Sequence, residues 1–287
     1  MIGRRPSDYV SLAPAGADCH SPQRIHVRHA AWVGERLSER DWAIVEVVNR
    51  LRLVRSDQIE RLLFAELSGR SRVVTRGRVL RRLADWQVLD ALPRRIGGSP
   101  RGSSGSVFAL GLVGQRLLAE RQLIAGSTPR VRHAGVPTDR TVGHMLAVSE
   151  LYVSLDEKAT GIGAQVETFE AEPACWWSNG LGGYVKPDAY VLLVHGQVRD
   201  HWWIEADLAT ESLPTLKRKF LTYLDYVARG QLGPSGVIPR VLVSVPSEGR
   251  YTAVRELFSR LPDPANQLFS VITERHASDY MLQALRD

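Results

Sequence analysis

The chain has 287 residues, of which 44% are hydrophobic and 24% charged, with a net charge of +6. This is the composition of a globular protein with room for a sizeable core and, most naturally, two domains. No run of about 18 apolar residues offers a membrane span, and the N-terminal arginines are not followed by the compact apolar segment of a secretory signal. The two cysteines, Cys19 and Cys175, lie too far apart in sequence to suggest a disulfide framework, so a reducing, cytoplasmic setting is expected.

The charge is unevenly placed. Residues 1–135 hold 23 arginines and no lysine against 12 acids, a balance of +11, whereas residues 136–287 hold 14 basic and 19 acidic residues, a balance of −5. Biased codon usage accounts for arginine replacing lysine, 33 against 4, but not for the excess sitting in one half. The asymmetry suggests one half that meets a polyanion and another with a different task.

Residues 1–36 are rich in Pro, Gly, Ser and Arg, lack periodicity, and read as a disordered basic arm. Its Cys19, His20, His26 and His29 match no common zinc spacing. Ser38 followed by Asp41 has the form of a capping box with Asp in place of Glu. It opens a helix in which Trp42, Ile44, Val45, Val48, Leu51 and Leu53 recur at helical spacing. Ser56 caps a short second helix, Asp57 to Leu67, with Ile59, Leu62 and Leu63 inward. After a break at 68–71, a third helix from Arg72 to Gln87 turns Val73, Val79, Leu80, Leu83 and Trp86 inward. Its other faces carry Arg72, Arg76, Arg78, Arg81 and Arg82. Two short apolar strands, 88–92 and 107–110, then flank a Gly/Ser/Arg tip holding Arg94, Arg95 and Arg101, and a fourth helix runs from Leu112 to Gln122.

Three helices, a hairpin and a closing helix follow the order of a winged helix-turn-helix, here residues 37–124, whose second paired helix enters the major groove of double-stranded DNA. Five arginines lie within 11 residues of the third helix, with Asp85 the one acid nearby. A solvated helix face normally mixes signs for i,i+4 pairing. A single sign suits phosphate contacts, each of which releases counterions. DNA contacts are therefore expected from these five arginines and from Arg94, Arg95 and Arg101.

Residues 125–137 read as a linker, and residues 138–287 as a second domain. A long, nearly all-apolar helix (138–158) precedes strand-like runs at 165–172, 185–194 and 201–208. A helix (213–229), a strand (240–245), a helix (248–261) and a strand (268–273) follow. That alternation argues a mixed α/β sheet between helices. Lys186-Pro187-Asp188 opens the second run, and the period of two puts Glu205 and Asp207 on one face of the third. Glu150 interrupts the apolar helix on the stripe of Leu146 and Val153. Carboxylates converging from a helix and two strands would hold Mg²⁺ or Mn²⁺, which prefer oxygen ligands. Taken singly, each acid is as well explained by solvation or by pairing with Arg or Lys. Trp176-Trp177 and Trp202-Trp203 are read as core-filling rather than base-stacking.

The order helix-Glu, strand with Pro-Asp, strand with Glu, helix resembles the PD-(D/E)XK nuclease fold over about residues 138–273. From about 37 to 275 the chain resembles the actinobacterial replication-relaxation family. The residues that carry this are Leu37 to Asp41, the arginine-rich third helix, Leu146 to Tyr152, Lys186 to Tyr190, Glu205-Ala206-Asp207 with Thr210-Glu211, and Lys219 to Tyr223. The resemblance implies a winged-helix DNA reader joined to a nuclease-like domain, working in replication, relaxation or transfer of a plasmid or other mobile element. Carried over by position, Asp188 and Glu205 become metal ligands and Glu150 the helix acid. The nuclease pattern has Lys two residues after the Glu, where this chain has Asp207, so Lys219 from the next helix is expected to supply the ammonium. Three functions stay open: a DNA-binding protein, an active Mg²⁺-dependent endonuclease, and a recruitment module for a relaxase or replication initiator; a homodimer of this chain is among the expected partners.

Overall fold

The computed structural model describes residues 27–92, 105–126 and 138–285. Most of the expected arm, the hairpin tip with Arg94, Arg95 and Arg101, and residues 127–137 of the linker lie outside the described residues.

Order begins ahead of Ser38. Helix α1, Val27–Gly34, buries Ala30 and Val33 in the core, and Trp32 meets the edge of Trp86 at 5.4 Å between ring centroids. The expected arm of 1–36 is therefore too long at its C-terminal end. Helix α2, Glu39–Leu51, starts at the capping box read from the sequence. The Asp41 N–H donates to Ser38 Oγ (3.2 Å) and the Ser38 N–H to Asp41 Oδ2 (2.9 Å). Asp41, only 1% exposed, also accepts two hydrogen bonds from Arg82 (2.6 and 2.7 Å). One carboxylate thus caps α2 and ties it to a later helix.

Strand β1, Val54–Arg55, leads into α3, Ser56–Leu63, and α4, Gly69–Asp85. Strands β2, Leu89–Ala91, and β3, Val107–Leu110, precede α5, Leu112–Ile124. The three strands form an antiparallel sheet in the order β1-β3-β2. At Gly114 a Cβ would lie 2.3 Å from the Val88 carbonyl oxygen, so glycine is what lets α5 pack against the chain entering β2. Leu80 and Leu83 of α4 are buried as expected, but Val73 is 48% exposed. The inward positions of the first two turns are taken by Arg72 and Arg76, which reach Glu60 of α3.

Helix α6, Asp139–Gly161, is capped by Thr138. Strand β4, Gln165–Ala171, the two-residue strands β5, Trp177–Ser178, and β6, Tyr184–Val185, then β7, Ala189–His195, and β8, Val198–Ala206, follow. Next come α7, Leu213–Ala228, β9, Arg240–Val245, α8, Glu248–Phe258, α9, Ala265–Leu268, β10, Phe269–Thr273, and α10, Ala277–Gln283. The five-stranded sheet has the order β10-β9-β8-β7-β4. β4, β7 and β8 pair antiparallel, while β8, β9 and β10 pair parallel. The parallel pairs need crossovers, supplied by α7 and α8. Side chains alternate across the sheet: Trp202 and Ile204 join one core cluster, and Trp203, Val241 and Val243 the other, with α7 and α8. Both tryptophans are fully buried, whereas Trp177 is exposed at the small hairpin. The fold is thus mixed α/β.

The two halves do not have separate cores. One apolar cluster joins Ile44, Val48, Leu51 and Ile59 of the N-terminal helices to Leu151, Val153, Phe169 and Val191 of the second half. The middle of α6, from Val142 to Leu155, is mostly apolar and needs cover on more than one side. The sheet covers one side of α6, and α2, α3 and β1 cover another.

Candidate functional site

Asp188 stands at the head of β7, with its N–H bonded to the Ile204 carbonyl (2.9 Å). The buried thiol of Cys175 donates to the Pro187 carbonyl (3.0 Å) and holds the approach to it. Oδ2 of Asp188 accepts the Ala206 N–H (2.7 Å). Oδ1 lies 3.3 Å from His144 Nε2 of α6 and 3.7 Å from Lys219 Nζ of α7. Glu205, on the α7 side of β8, is in direct contact with Lys219 and accepts a hydrogen bond from the Tyr223 hydroxyl. Lys219 and Tyr223 are one helical turn apart and so share a face. The result is a cleft of about 250 Å³ whose lining includes His144, Glu172, Asp188, Glu205, Asp207 and Lys219.

The charges in this cleft set one another. Burial works against the Asp188 carboxylate, but His144 and Lys219 outweigh it and hold its pKa below the usual range. Burial likewise works against the His144 imidazolium, and Asp188 outweighs it and raises the pKa. Lys219 is raised because Glu205 and Asp188 overcome its desolvation. Burial pushes Glu205 up to about 8, with Lys219 opposing, and also pushes the Tyr223 phenol well up, Glu205 adding to the effect. Near neutral pH the pattern is an ionised Asp188 beside an ammonium, with a proton retained on Glu205.

Asp188, Glu205 and Lys219 therefore come together as the sequence suggests; Glu150 does not join them. It accepts hydrogen bonds from Arg55 (2.9 Å), Gln58 (2.8 Å) and Arg61 (2.5 Å), facing α3. The helix residue at the cleft is His144. Six residues turn an α-helix through about 600°, leaving Glu150 about 240° round from His144 and nearly two turns along. His144, a lone polar residue in an apolar helix stretch, was the available signal. Asp207 lines the cleft but is committed elsewhere: it accepts Arg250 Nε (2.6 Å) and the Ala209 N–H (2.9 Å). The period of two holds only while the strand continues, and β8 ends at Ala206.

Among the described residues no three His, Cys, Asp or Glu side chains are grouped so as to hold a metal ion. Asp188 and Glu205 offer hard oxygen donors, but Ala206 and Tyr223 each occupy one of these oxygens and the ammonium of Lys219 fills the space between the carboxylates. These residues do not fit a preformed Mg²⁺ or Mn²⁺ site. Lys219 is the cation that balances them.

The arginines of α4 fall into two sets. Arg72 donates to the Glu60 carbonyl (2.9 Å) and pairs with the Glu60 carboxylate (3.3 Å); Arg76 pairs with the carboxylate alone. Arg82 is held by Asp41 and lies over Trp86 at 5.1 Å. These three lock α4 onto α3 and α2, contrary to the expectation that they face a ligand. Arg78 and Arg81, joined by Arg70, are exposed and make no ion pair with the described residues. The period of 3.6 accounts for part of the split: positions 72 and 76 fall within about 50° of the core line of 80 and 83, and 70, 78 and 81 lie more than about 100° from it. Arg82 lies as far round as Arg81 and is tied down because Asp41 of α2 reaches it.

These features define a mixed α/β protein with an arginine-bearing outward helix in one half and a charge-coupled acid cleft at the sheet of the other. The chain belongs to the replication-relaxation family, whose sequence model matches residues 45–241, from α2 into β9, and so takes in both the helix and the cleft. No curated protein and no solved structure matches the chain. No helix among the described residues is long and apolar enough to cross a membrane.

Proposed function

We propose that this is a DNA-binding protein acting in replication, relaxation or transfer of a plasmid or other mobile element. In this reading α2 to α4 with β1 to β3 form a winged helix-turn-helix that holds duplex DNA, and residues 138–285 form a PD-(D/E)XK-like domain whose cleft is closed by Lys219. The observation that carries it is the outward face of α4, where Arg70, Arg78 and Arg81 stand unpaired with described residues while the other arginines of the helix are tied down. Family membership supports the setting in replication or relaxation.

The test is binding of the full chain to duplex DNA as salt is raised. Arg78→Ala and Arg81→Ala should each reduce the slope of log K against log salt by about one unit. Arg76→Ala should leave that slope nearly unchanged. Equal slopes for wild type and an Arg70/Arg78/Arg81 triple alanine variant would refute the reading. A second reading, a metal-dependent endonuclease, rests on Asp188, Glu205 and Lys219 coming together in the order of the nuclease pattern, and it requires a divalent ion to displace the Lys219 ammonium from between the carboxylates. Nicking of supercoiled plasmid with Mg²⁺ or Mn²⁺ that is lost in Asp188→Asn would establish it; under the first reading the plasmid is bound and left intact.

A further inference from the structure

The outward face of α4 carries more than charge. Arg70, Val74, Arg78 and Arg81 follow one another at spacings of four, four and three, which keeps them on one side of the helix. Val74 is 46% exposed and its neighbour Val73 48% exposed. Between Leu37 and Leu92, all described, these are the only exposed large apolar side chains. Valine is a poor choice for a solvated helix position, because its branched side chain loses rotamer freedom and leaves apolar surface in water.

A second observation is independent of the first. Gly77 lies in the middle of the same helix, beside this stripe, and a Cβ built there meets nothing within 4 Å. Mid-helix glycine costs about 1 kcal/mol relative to alanine, and no packing among the described residues requires it. A position bare of side chain, next to exposed valines and flanked by arginines, suits a partner that comes close to the helix backbone, is anionic at its margins, and offers methyl groups at its centre. The major groove of B-DNA matches this description, with phosphates at its rims and the thymine 5-methyl on its floor.

We propose that α4 reads thymine methyl groups in the major groove through Val74 and Val73, with Gly77 at the closest approach and Arg70, Arg78 and Arg81 on the flanking phosphates. The inference rests on the DNA-binding reading and adds the sequence class that the duplex must contain. Val73 and Val74 lie in the N-terminal part of α4, the part of a recognition helix that meets base edges.

The experiment selects preferred duplexes from a random pool with the full-length protein, then replaces the thymines of a selected duplex by deoxyuridine. That change removes the 5-methyl and leaves phosphates and hydrogen-bonding edges intact. Affinity should fall about fourfold for each contacted methyl, the equivalent of burying one methyl-sized group. Val74→Ala should shrink the thymine–uracil difference. Gly77→Leu should erase the preference for selected over random duplex and leave salt-dependent binding near wild type, while the thermal midpoint rises slightly because the mid-helix glycine cost is removed. Equal affinity of wild type for the thymine and uracil duplexes overturns the proposal, as does enrichment of sites without thymine or of no sequence at all. In those cases DNA is still bound and the broader reading stands. Absence of any duplex binding overturns both.

Discussion

Two acid clusters lie along the same helix, α6, and they use carboxylates differently. On the side facing α3, Glu150 meets Arg55, Arg61 and Gln58, and Glu157 meets Arg61. Arg55 and Arg61 each bridge two acids there, Arg55 also pairing with Asp57, and water reaches the cluster. On the side facing the sheet, His144 meets Asp188, and Asp188 and Glu205 share the single ammonium of Lys219, with both acids buried. The first arrangement fastens two halves together. The second leaves a proton and a cation held by mutual compensation in a cleft, where a partner can change the balance. Acids in an apolar setting look alike in sequence; what separates these sets is how much water reaches each.

The largest effect is expected at Asp188. Alanine there removes the acceptor of the buried Ala206 N–H and the counter-charge of both Lys219 and His144. Losing one partner of a buried ion pair costs about 3–5 kcal/mol, which urea unfolding of Asp188→Ala should show, with Asp188→Asn losing less. A variant as stable as the wild type would mean that the cleft is not a coupled network.

Titration gives the next effect. The folded pKa of Glu205 is raised from 4.5 to about 8 by burial. The folded protein thus holds this proton more tightly than the unfolded chain. The stabilisation is fully present below about 4.5 and is lost as pH rises through about 8. His144, also raised, acts in the same direction above the ordinary imidazole range. Asp188, held low, is ionised in both states across most of this window. The urea midpoint should therefore fall between pH 5 and 9, and Glu205→Gln should flatten most of that fall. An unchanged slope in the variant would place the proton elsewhere.

Much of the scaffold was legible because it is written in local signals. The Ser38–Asp41 capping box and the apolar runs of β7 and β8 gave elements close to those observed. Short elements escaped: α1 has eight residues and β1 two, too few to show a period. The cleft was half legible. Asp188, Glu205 and Lys219 fall on neighbouring elements in a familiar order, so their convergence followed from chain order. Glu150 and the arginines of α4 were misread for another reason. Periodicity tells which residues share a face of a helix, but not which face meets which neighbour. The partners that capture Arg76 and Arg82 are Glu60 and Asp41, on other helices, and a helical wheel of α4 does not contain them.

The smallest effect is expected at Glu150. Its side chain is 36% exposed, as open as many surface pairs, so water screens what its three partners contribute. Glu150→Ala should cost about 1 kcal/mol, the upper part of the range for exposed ion pairs, read as a small drop in the thermal midpoint. Unfolding should remain a single transition, because the apolar cluster joining Ile59 and Val48 to Leu151 and Val153 is untouched and couples the halves more strongly than the ion pairs do. The slope of DNA affinity against salt should also stay as in wild type, since Arg55 and Arg61 lie on α3 and β1, not on the outward face of α4. A loss larger than that of Asp188→Ala, or a second transition, would reverse the roles of the two clusters: the ion pairs at α3 would then hold the halves together, and the shared core would be secondary.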